Sequence, residues 1–313
     1  MRKQTIKYVA KKESLKGITE NQSVRTYKRG CEKFVDWMED TKKIKYFEDI
    51  PEDKMIEFIQ EYEKWMENEC YSASTIHTYL APICKTMGVN MNKIKKPKRS
   101  AGRLKRSRDK TANLQGKAEL EKDEYQRLIN TQKAVGIRRN ELRKLTGADL
   151  IETKNGLFVR VKRGKGGKYQ LQKILPEHEA QIRAVWADIK ADQPVFSTEE
   201  MKNKIDLHAM RAELAKEAYD YYLEQVQNPE CKAKLQDELF ERYIQYNKNS
   251  EDVDRWAEQN LYNDKPYVMR GENRDNAIDH GRPVEYDRLA MMAVSVFHLS
   301  HWRLDVTSVN YLA

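Results

Sequence analysis

The chain has 313 residues, of which 39% are hydrophobic and 34% are charged, and its formal net charge is +9 at pH 7. It is long enough for two domains with cores of their own. It is too polar for a membrane protein, with no apolar run of the roughly 20 residues that a spanning helix needs. It is too rich in aromatic residues to be disordered. Because the first residues lack an apolar stretch, we expect no signal peptide. The four cysteines are scattered without a CxxC pair, as is typical of free thiols in a reducing compartment.

The sequence before residue 93 has helical periodicity. Apolar residues recur at helical spacing after Ser23, after Pro51 and after Ser74, and serine and proline are typical residues at helix starts. These runs predict a compact helical domain over residues 18–92, preceded by an N-terminal extension over residues 1–17. We assign the aromatic residues of this domain to its core.

The positive charge is concentrated in the next segment of the chain. Residues 93–110 carry ten basic residues and one acidic residue, whereas the parts before and after it have net charges of +1 and −1. Like charges at this density repel one another and have no apolar period to fold around, so the segment is predicted to be a linker. Its charge favours contact with nucleic acid, with a merely solvated connector as the alternative.

The sequence after the linker mixes helix and strand patterns. Residues 121–148 predict two helices, and residues 157–162 and 169–175 alternate like two strands joined by a glycine-rich turn. A long helix is predicted to begin after Asp206, and helical segments close the chain. The predicted fold class is mainly α with a small antiparallel β-sheet.

Four clusters in this second part have residue types suited to phosphate chemistry. They are Arg138 with Glu141, Lys165 with Lys168, His208 with Arg211, and His301 with Tyr311. Taken singly, each has an ordinary explanation, such as a surface ion pair or a plain surface turn. A zinc site at the histidines lacks a supporting cluster of carboxylate or cysteine ligands. A phosphate-binding P-loop is excluded because the glycine-rich turn lies between strands.

The order of the clusters resembles that of the tyrosine recombinases, the phage-integrase family. The segments that carry the resemblance are GIRRNEL, RGKGGK, HAMR and HLSHWRLDVTSVNY. It implies catalytic residues Arg138, Lys165, His208, Arg211, His301 and the nucleophile Tyr311, with Glu141 in a supporting role. It also implies a helical core-binding domain over 18–92, a basic linker over 93–111 and an α+β catalytic domain over 112–313.

The resemblance implies a site-specific DNA recombinase that cleaves and rejoins DNA through a 3′-phosphotyrosyl intermediate and integrates or excises a mobile element. The two arginines would hold the phosphate oxygens, and His301 would add a hydrogen bond. His208 would take the proton of Tyr311, and Lys165 would protonate the leaving 5′-hydroxyl. Because the bond energy is kept in the phosphotyrosyl link, no cofactor and no metal are expected. A type IB topoisomerase-like enzyme and a non-catalytic DNA-binding relative are the alternatives.

The implied partner is double-stranded DNA with paired recombination sites, bound by a self-associated assembly, a tetramer on DNA. Accessory DNA-bending factors are possible further partners, no membrane is implied, and the implied location is on DNA in the cytoplasm, with a bacterial, phage or mobile-element origin. The predicted DNA-binding residues are Lys93, Lys95, Lys96, Lys98, Arg99, Arg103, Lys105, Arg106, Arg108 and Lys168.

The chain departs from the family pattern at several positions. Ser300 stands where the family commonly has glycine, and Ala212 stands where a histidine often follows the HxxR segment. Residues 217–290 form an insert with 17 acidic and 10 basic residues. Its apolar positions are expected either to pack against the catalytic domain or to dock on an adjacent protomer. Docking would replace the exchanged C-terminal tail, for which this sequence has only two residues after Tyr311.

Overall fold

The computed structural model of the chain describes residues 3–99, 114–246 and 252–312. The chain divides into two compact units, Met1–Ser100 and Ala101–Ala313. Part of the predicted basic linker, including Arg103, Lys105, Arg106 and Arg108, lies outside the described residues. Within the described ranges, no helix combines the length and the apolar character needed to cross a membrane.

The first unit is helical. Its α-helices are α1 (Ile6–Ser14), α2 (Asn21–Trp37), α3 (Met55–Asn68) and α4 (Ala73–Thr86). Ser72 caps α4, because its hydroxyl accepts a hydrogen bond from the backbone N–H of Thr75 at 3.2 Å. The predicted aromatic core is present: Phe34 and Tyr62 are buried with their rings 5.1 Å apart in an edge-to-face arrangement.

Residues 1–17, predicted as an extension, contribute to this same core. Ile6 in α1 is fully buried in a cluster that includes Phe34, Ile59 and Leu80. The backbone N–H of Ile6 donates to the carbonyl of Lys45 at 3.0 Å. The helical unit therefore starts earlier than residue 18.

The first residues of the predicted linker are also held on this unit. Ile94 is buried in its core. The Gln60 amide donates to the carbonyl of Lys95 at 3.1 Å and accepts from the N–H of Lys95 at 2.8 Å. A ring nitrogen of His77 lies 3.0 Å from the carbonyl oxygen of Pro97. Residues 94–97 are consequently part of the folded unit rather than a free connector.

The second unit contains helices and two small antiparallel sheets. Its helices are α5 (Leu114–Glu119), α6 (Asp123–Val135), α7 (Arg139–Leu142), α8 (Pro176–Trp186), α9 (Leu207–Gln225), α10 (Pro229–Tyr246), α11 (Val253–Asn260), α12 (Gly271–Asp279), α13 (Arg288–Ala293) and α14 (Leu304–Thr307). Its strands are β1 (Leu150–Thr153), β2 (Gly156–Val161), β3 (Gln170–Lys173), β4 (Tyr267–Val268) and β5 (Glu285–Tyr286). The predicted fold class, mainly α with a small antiparallel sheet, is confirmed.

The main sheet has the order β1-β2-β3, with Phe158 of β2 opposite both Ile151 and Lys173. Strands β2 and β3 are the predicted pair, and β1 was not predicted. The reason is that β1 is a short edge strand whose last two residues are exposed. It therefore lacks the alternation of buried and exposed residues that predicts a strand. The β2–β3 turn contains the short 3₁₀ segment Lys165–Gly167.

The predicted insert over 217–290 is built into the core of the second unit. Position 217 lies inside α9, so the preceding helix continues into the insert without a break. Leu235 and Leu239 of α10 are buried in the same cluster as Phe297 and Tyr311. The insert thus packs against the elements that carry the candidate site, as the first of the two expectations for it required.

Candidate active site

Tyr311 lies among three of the predicted site residues. The centroid of its ring is 5.7 Å from that of His208 and 6.1 Å from that of His301. The carbon atom at the centre of the Arg211 guanidinium lies 5.8 Å from the Tyr311 ring centroid. Tyr311 is buried, in the π-helical turn Ser308–Leu312 that continues α14. Such widened turns occur often at functional sites.

Helix α9 places His208 and Arg211 one turn apart. Its N-cap is Asp206, whose carboxylate accepts from the backbone N–H groups of His208 and Ala209, each at 3.1 Å. His208 is exposed at the start of the helix, whereas Arg211 is only 1% exposed. The two side chains therefore approach Tyr311 from the solvent side and from the protein interior.

The guanidinium of Arg211 joins two loops of the site. It donates to the carbonyl of Gly136 and, at 2.7 Å, to the carbonyl of Leu299. Burial lowers its pKa, and the neighbouring Tyr311 partly opposes that shift. Gly136 has a left-handed backbone with φ of 60°, and a Cβ atom there would lie 2.7 Å from the Leu214 side chain. Only glycine fits at this junction.

Glu141 joins Arg138 to the backbone of the Lys165 turn. Its carboxylate accepts from the Arg138 N–H at 2.9 Å, from Arg138 Nη1 at 2.8 Å and from the Lys165 N–H at 3.1 Å. Burial alone would raise the pKa of Glu141, but the hydrogen bonds and charge of Arg138 outweigh it and lower the pKa. Glu141 is therefore ionised, and its charge holds the guanidinium group of Arg138 in place.

The turn itself approaches β3 closely. A Cβ atom on Gly164 would lie only 2.0 Å from Nε2 of Gln170, so a larger residue there would displace this buried side chain. Lys165 and Lys168 are both exposed on the turn. Their ammonium groups can reach a ligand outside the protein without a change in the backbone.

Arg138 and Arg139 have different environments. Arg139 donates to the carbonyl and side-chain oxygens of Asn203, at 3.2 and 2.9 Å, and to the carbonyl of Ile205. Its guanidinium is thus occupied by the loop that leads to Asp206. Arg138, in contrast, is part-exposed beside Glu141.

His301 follows an irregular stretch of backbone. The π-helical turn Val294–His298 precedes it, and Ser300 has a left-handed φ of 53°. This backbone conformation favours glycine, and here it is adopted by a serine. Burial, reinforced by the charges of Arg211 and Arg138, lowers the pKa of His301 to about 4. Its imidazole is neutral at pH 7.

His298 is a core residue. It is 1% exposed, and its Nε2 lies 3.1 Å from the hydroxyl of Tyr222. Burial lowers its pKa to about 3, with a smaller effect from Lys173. It takes no part in the cluster around Tyr311.

Three polar residues near the site carry no motif and were not predicted. They are Gln132, Gln172 and Ser295, all fully buried. Each makes hydrogen bonds to the segments that bear the predicted residues. A single buried amide or hydroxyl leaves no pattern in the sequence, because its importance depends on carbonyl groups far away along the chain.

The predicted DNA-binding residues differ in how their charges are used. Lys93, Lys95, Lys98 and Arg99 are exposed on the first unit, and Lys168 is exposed on the second. The ammonium of Lys96, however, donates to the carbonyls of Met91 and, at 2.6 Å, of Ile94. Lys96 therefore stabilises the end of its own unit and is a weaker candidate for a phosphate contact.

One group of side chains in the described ranges has the spacing of metal ligands. Atoms of Glu177, His178 and Glu217 lie within 4.8 Å of one another. His178 Nε2 is 3.0 Å from a carboxylate oxygen of Glu217, an ion pair that accounts for the grouping by itself. None of the three residues contributes to the site around Tyr311.

Comparison with known proteins gives a distant structural match. No protein-family model and no curated protein matches the chain. Among solved structures, the crystal structure of XerA recombinase matches at 14% sequence identity over 89% of this chain and 98% of that chain. The TM-score is 0.24. A likeness at this level is too weak to indicate an activity, which has to be inferred from the residues of the site.

Proposed function

We propose that the chain is a site-specific DNA recombinase in which Tyr311 cleaves a phosphodiester and holds the DNA through a 3′-phosphotyrosyl link. The observation that carries this is the position of the Tyr311 ring, 5.7 Å from the ring of His208 and 5.8 Å from the guanidinium carbon of Arg211. A phenol beside an imidazole and a buried guanidinium is suited to attack on a phosphate.

In the proposed step, the Tyr311 oxygen forms a bond to phosphorus and the bond from phosphorus to the 5′-oxygen breaks. His208 takes the phenol proton, because a protonated phenol is a poor nucleophile. Lys165 gives a proton to the departing 5′-oxygen. Reversal with a different 5′-hydroxyl rejoins the strands, so no energy source is consumed.

Arg138 and Arg211 would bind the non-bridging oxygens, where negative charge increases during attack. Arginine remains charged even when buried, and its planar fork matches phosphate oxygens. Glu141 would keep the Arg138 fork oriented and hold the Lys165 turn beside it. Preorganised charges of this kind supply most of the rate in many enzymes.

The proposed substrate is double-stranded DNA with paired sites, on which several protomers assemble. The basic segment 93–110 supports DNA binding, as does residue range 133–173, with 12 basic and 3 acidic residues. Integration or excision of a mobile element is the proposed biological outcome. It follows from recombination at paired sites rather than from any single residue.

The test is to trap the covalent intermediate. A duplex that the protein binds is selected from a random-sequence library and made into a nicked suicide substrate. After incubation with the protein, the covalent adduct is detected by electrophoresis. We expect an adduct with the wild type, none with Tyr311→Phe, and an unchanged yield with Tyr262→Phe, which alters an exposed tyrosine.

Other outcomes identify the alternatives. An adduct that persists in Tyr311→Phe would assign the nucleophile elsewhere. Relaxation of supercoiled DNA without paired sites would favour a type IB topoisomerase-like enzyme. Tight DNA binding with no adduct on any selected duplex would favour a non-catalytic DNA-binding protein.

A further inference from the structure

We propose that two buried glutamines, Gln132 and Gln172, are positioning residues that hold the separate segments of the candidate site in register. The inference rests on the proposed function. Neither residue belongs to a motif, and both are fully buried, with no exposed surface. The Gln132 amide bonds to carbonyls next to two predicted site residues, and the Gln172 amide bonds to a carbonyl and a hydroxyl in the segment just before His301.

Gln132, in α6, connects the loop before α7 to the start of α9. Its Nε2 donates to the carbonyl of Ile137 at 2.8 Å and to the carbonyl of Leu207 at 2.7 Å. Ile137 precedes Arg138, and Leu207 precedes His208. The –NH₂ group has two protons and donates to both carbonyls at once, so the two acceptors fix the orientation of the amide.

Gln172, in β3, connects the hairpin to the segment before His301. Its Nε2 donates to the carbonyl of His298, and its Oε1 accepts from the hydroxyl of Ser300 at 2.8 Å. The same strand carries Gln170, whose amide packs against Gly164 at the base of the Lys165 turn. Strand β3 therefore joins the lysine turn and the His301 segment through two buried amides.

Hydrophobic packing alone does not account for these residues. Burying an amide is costly unless it is hydrogen-bonded, and a methionine would fill similar space without that cost. What the glutamines add is direction, because they bind carbonyls of separate segments. Ile137 lies between α6 and α7, Leu207 is the first residue of α9, and His298 ends the π-helical turn before His301. A shift of about 1 Å in a reacting group can lower a rate by about 10²-fold.

Crossed double-mutant cycles test the assignment. Gln132→Met and Gln172→Met are each combined with His208→Asn and with His301→Asn, and adduct formation is timed on the suicide substrate. We expect each glutamine variant to slow cleavage by about 10–100-fold, with single-site DNA affinity and melting temperature much less affected. Gln126→Met, in the same helix as Gln132 but outside the core, is the matched control.

The coupling pattern separates positioning from general destabilisation. Gln172→Met should add little to His301→Asn but act fully in His208→Asn. Gln132→Met should act fully in His301→Asn and only in part in His208→Asn, because Gln132 also bonds to the carbonyl of Ile137 next to Arg138. Full additivity in all four combinations would overturn the proposal. If Gln172→Met does not fold, Ser300→Ala removes only the hydroxyl half of the same contact and is expected to couple to His301 in the same way.

A second readout is independent of cleavage. Long-range proton–nitrogen NMR spectra of the histidine rings in the free protein should show a changed His301 environment in Gln172→Met and an unchanged His208. If the wild type forms no adduct, the proposed function fails, but this measurement still tests whether Gln172 positions His301. Unchanged His301 signals in a folded Gln172→Met protein would reject it.

Discussion

The hydroxyl of Ser295 contacts His301 at two atoms. It donates to the backbone carbonyl of His301, and its Oγ lies 3.1 Å from Nδ1 of the same residue. Because a hydroxyl has one proton, we infer that Nδ1 carries the proton of that second contact and that Nε2 of the neutral ring is an acceptor. Nε2 has no partner among the described residues. His301 would then donate to a phosphate through Nε2 only after it binds a second proton.

Ser295→Ala should lower the cleavage rate by about fivefold, because the loss of one hydrogen bond is worth about 1 kcal/mol. The ring would lose the contact that fixes its direction beside Tyr311. Single-turnover cleavage measures the effect. Ser14→Ala, at a buried serine of the first unit, is the control. An unchanged rate in Ser295→Ala would mean that the backbone alone positions His301.

Glu141→Gln should reduce cleavage more than DNA binding. The amide is neutral and has one acceptor oxygen, so it cannot satisfy the three N–H donors of Arg138 and Lys165 that the carboxylate accepts. We expect a loss of about 10²-fold, since a shift of about 1 Å in a positioned group can lower a rate that much.

A substrate with sulfur at the 5′-bridging position separates the loss of the proton donor from the loss of phosphate binding. Its thiolate leaving group needs no proton, so it does not depend on Lys165. Lys165→Ala should be rescued almost fully, Glu141→Gln only in part because Arg138 is also released, and Lys168→Ala should show no specific rescue. Rescue of Lys168→Ala instead of Lys165→Ala would exchange the roles of the two lysines.

The salt dependence of DNA binding should depend on the exposed basic residues of the first unit. Replacing Lys93, Lys95 and Arg99 with glutamine should flatten the slope of log K against log salt by about 2–3, since each phosphate contact contributes about 0.9. Lys96→Met is expected to lower the melting temperature more than the slope, because its ammonium bonds to backbone carbonyls. An unchanged slope in the triple variant would mean that Lys93, Lys95 and Arg99 make no phosphate contact.

His298 should make the protein sensitive to acid. Its pKa is about 3 in the folded protein against an ordinary value of 6.5, so the unfolded chain binds its proton first as the pH falls. Stability is complete above pH 6.5 and is lost between pH 6.5 and 3. Between pH 7 and pH 5 the free energy of unfolding should fall by about 2 kcal/mol from this group.

Urea unfolding at the two pH values measures this loss. His298→Gln, which keeps a polar group near Tyr222, should lose less stability between them than the wild type. His280→Gln, at an exposed histidine, should behave like the wild type. Equal losses in all three proteins would assign the acid sensitivity to carboxylates.

The sequence predicts those parts of this protein that depend on local pattern. Helical periodicity identified α2, α3 and α4, and alternation identified β2 and β3, because each buries one face against a core. Edge strand β1 lacked that alternation. The motifs named the residues around Tyr311, since their types and order are visible in the sequence. The contacts of Gln132 and Gln172 were not predictable, because the carbonyls they bind are fixed only by the tertiary fold.

The insert should be essential to the fold of the second unit through an aromatic cluster. The rings of Tyr243 and Trp256 are stacked with centroids 3.6 Å apart, and that of Trp302 lies 5.4 Å from each. Trp302 follows His301, so the cluster ties the insert to the site. Trp256→Ala should lower the free energy of unfolding by about 1–3 kcal/mol and slow cleavage, whereas Trp256→Phe should retain most of both.

Replacing residues 228–262 by a short Gly/Ser linker extends the same test. It removes Leu235 and Leu239, both buried in the core that also contains Tyr311. Loss of these side chains leaves cavities that cost about 2–5 kcal/mol each, so the second unit is expected to unfold. Circular dichroism and urea unfolding measure it. A folded variant that still binds single sites but fails to pair them would contradict this expectation, and would show instead that the insert docks on an adjacent protomer.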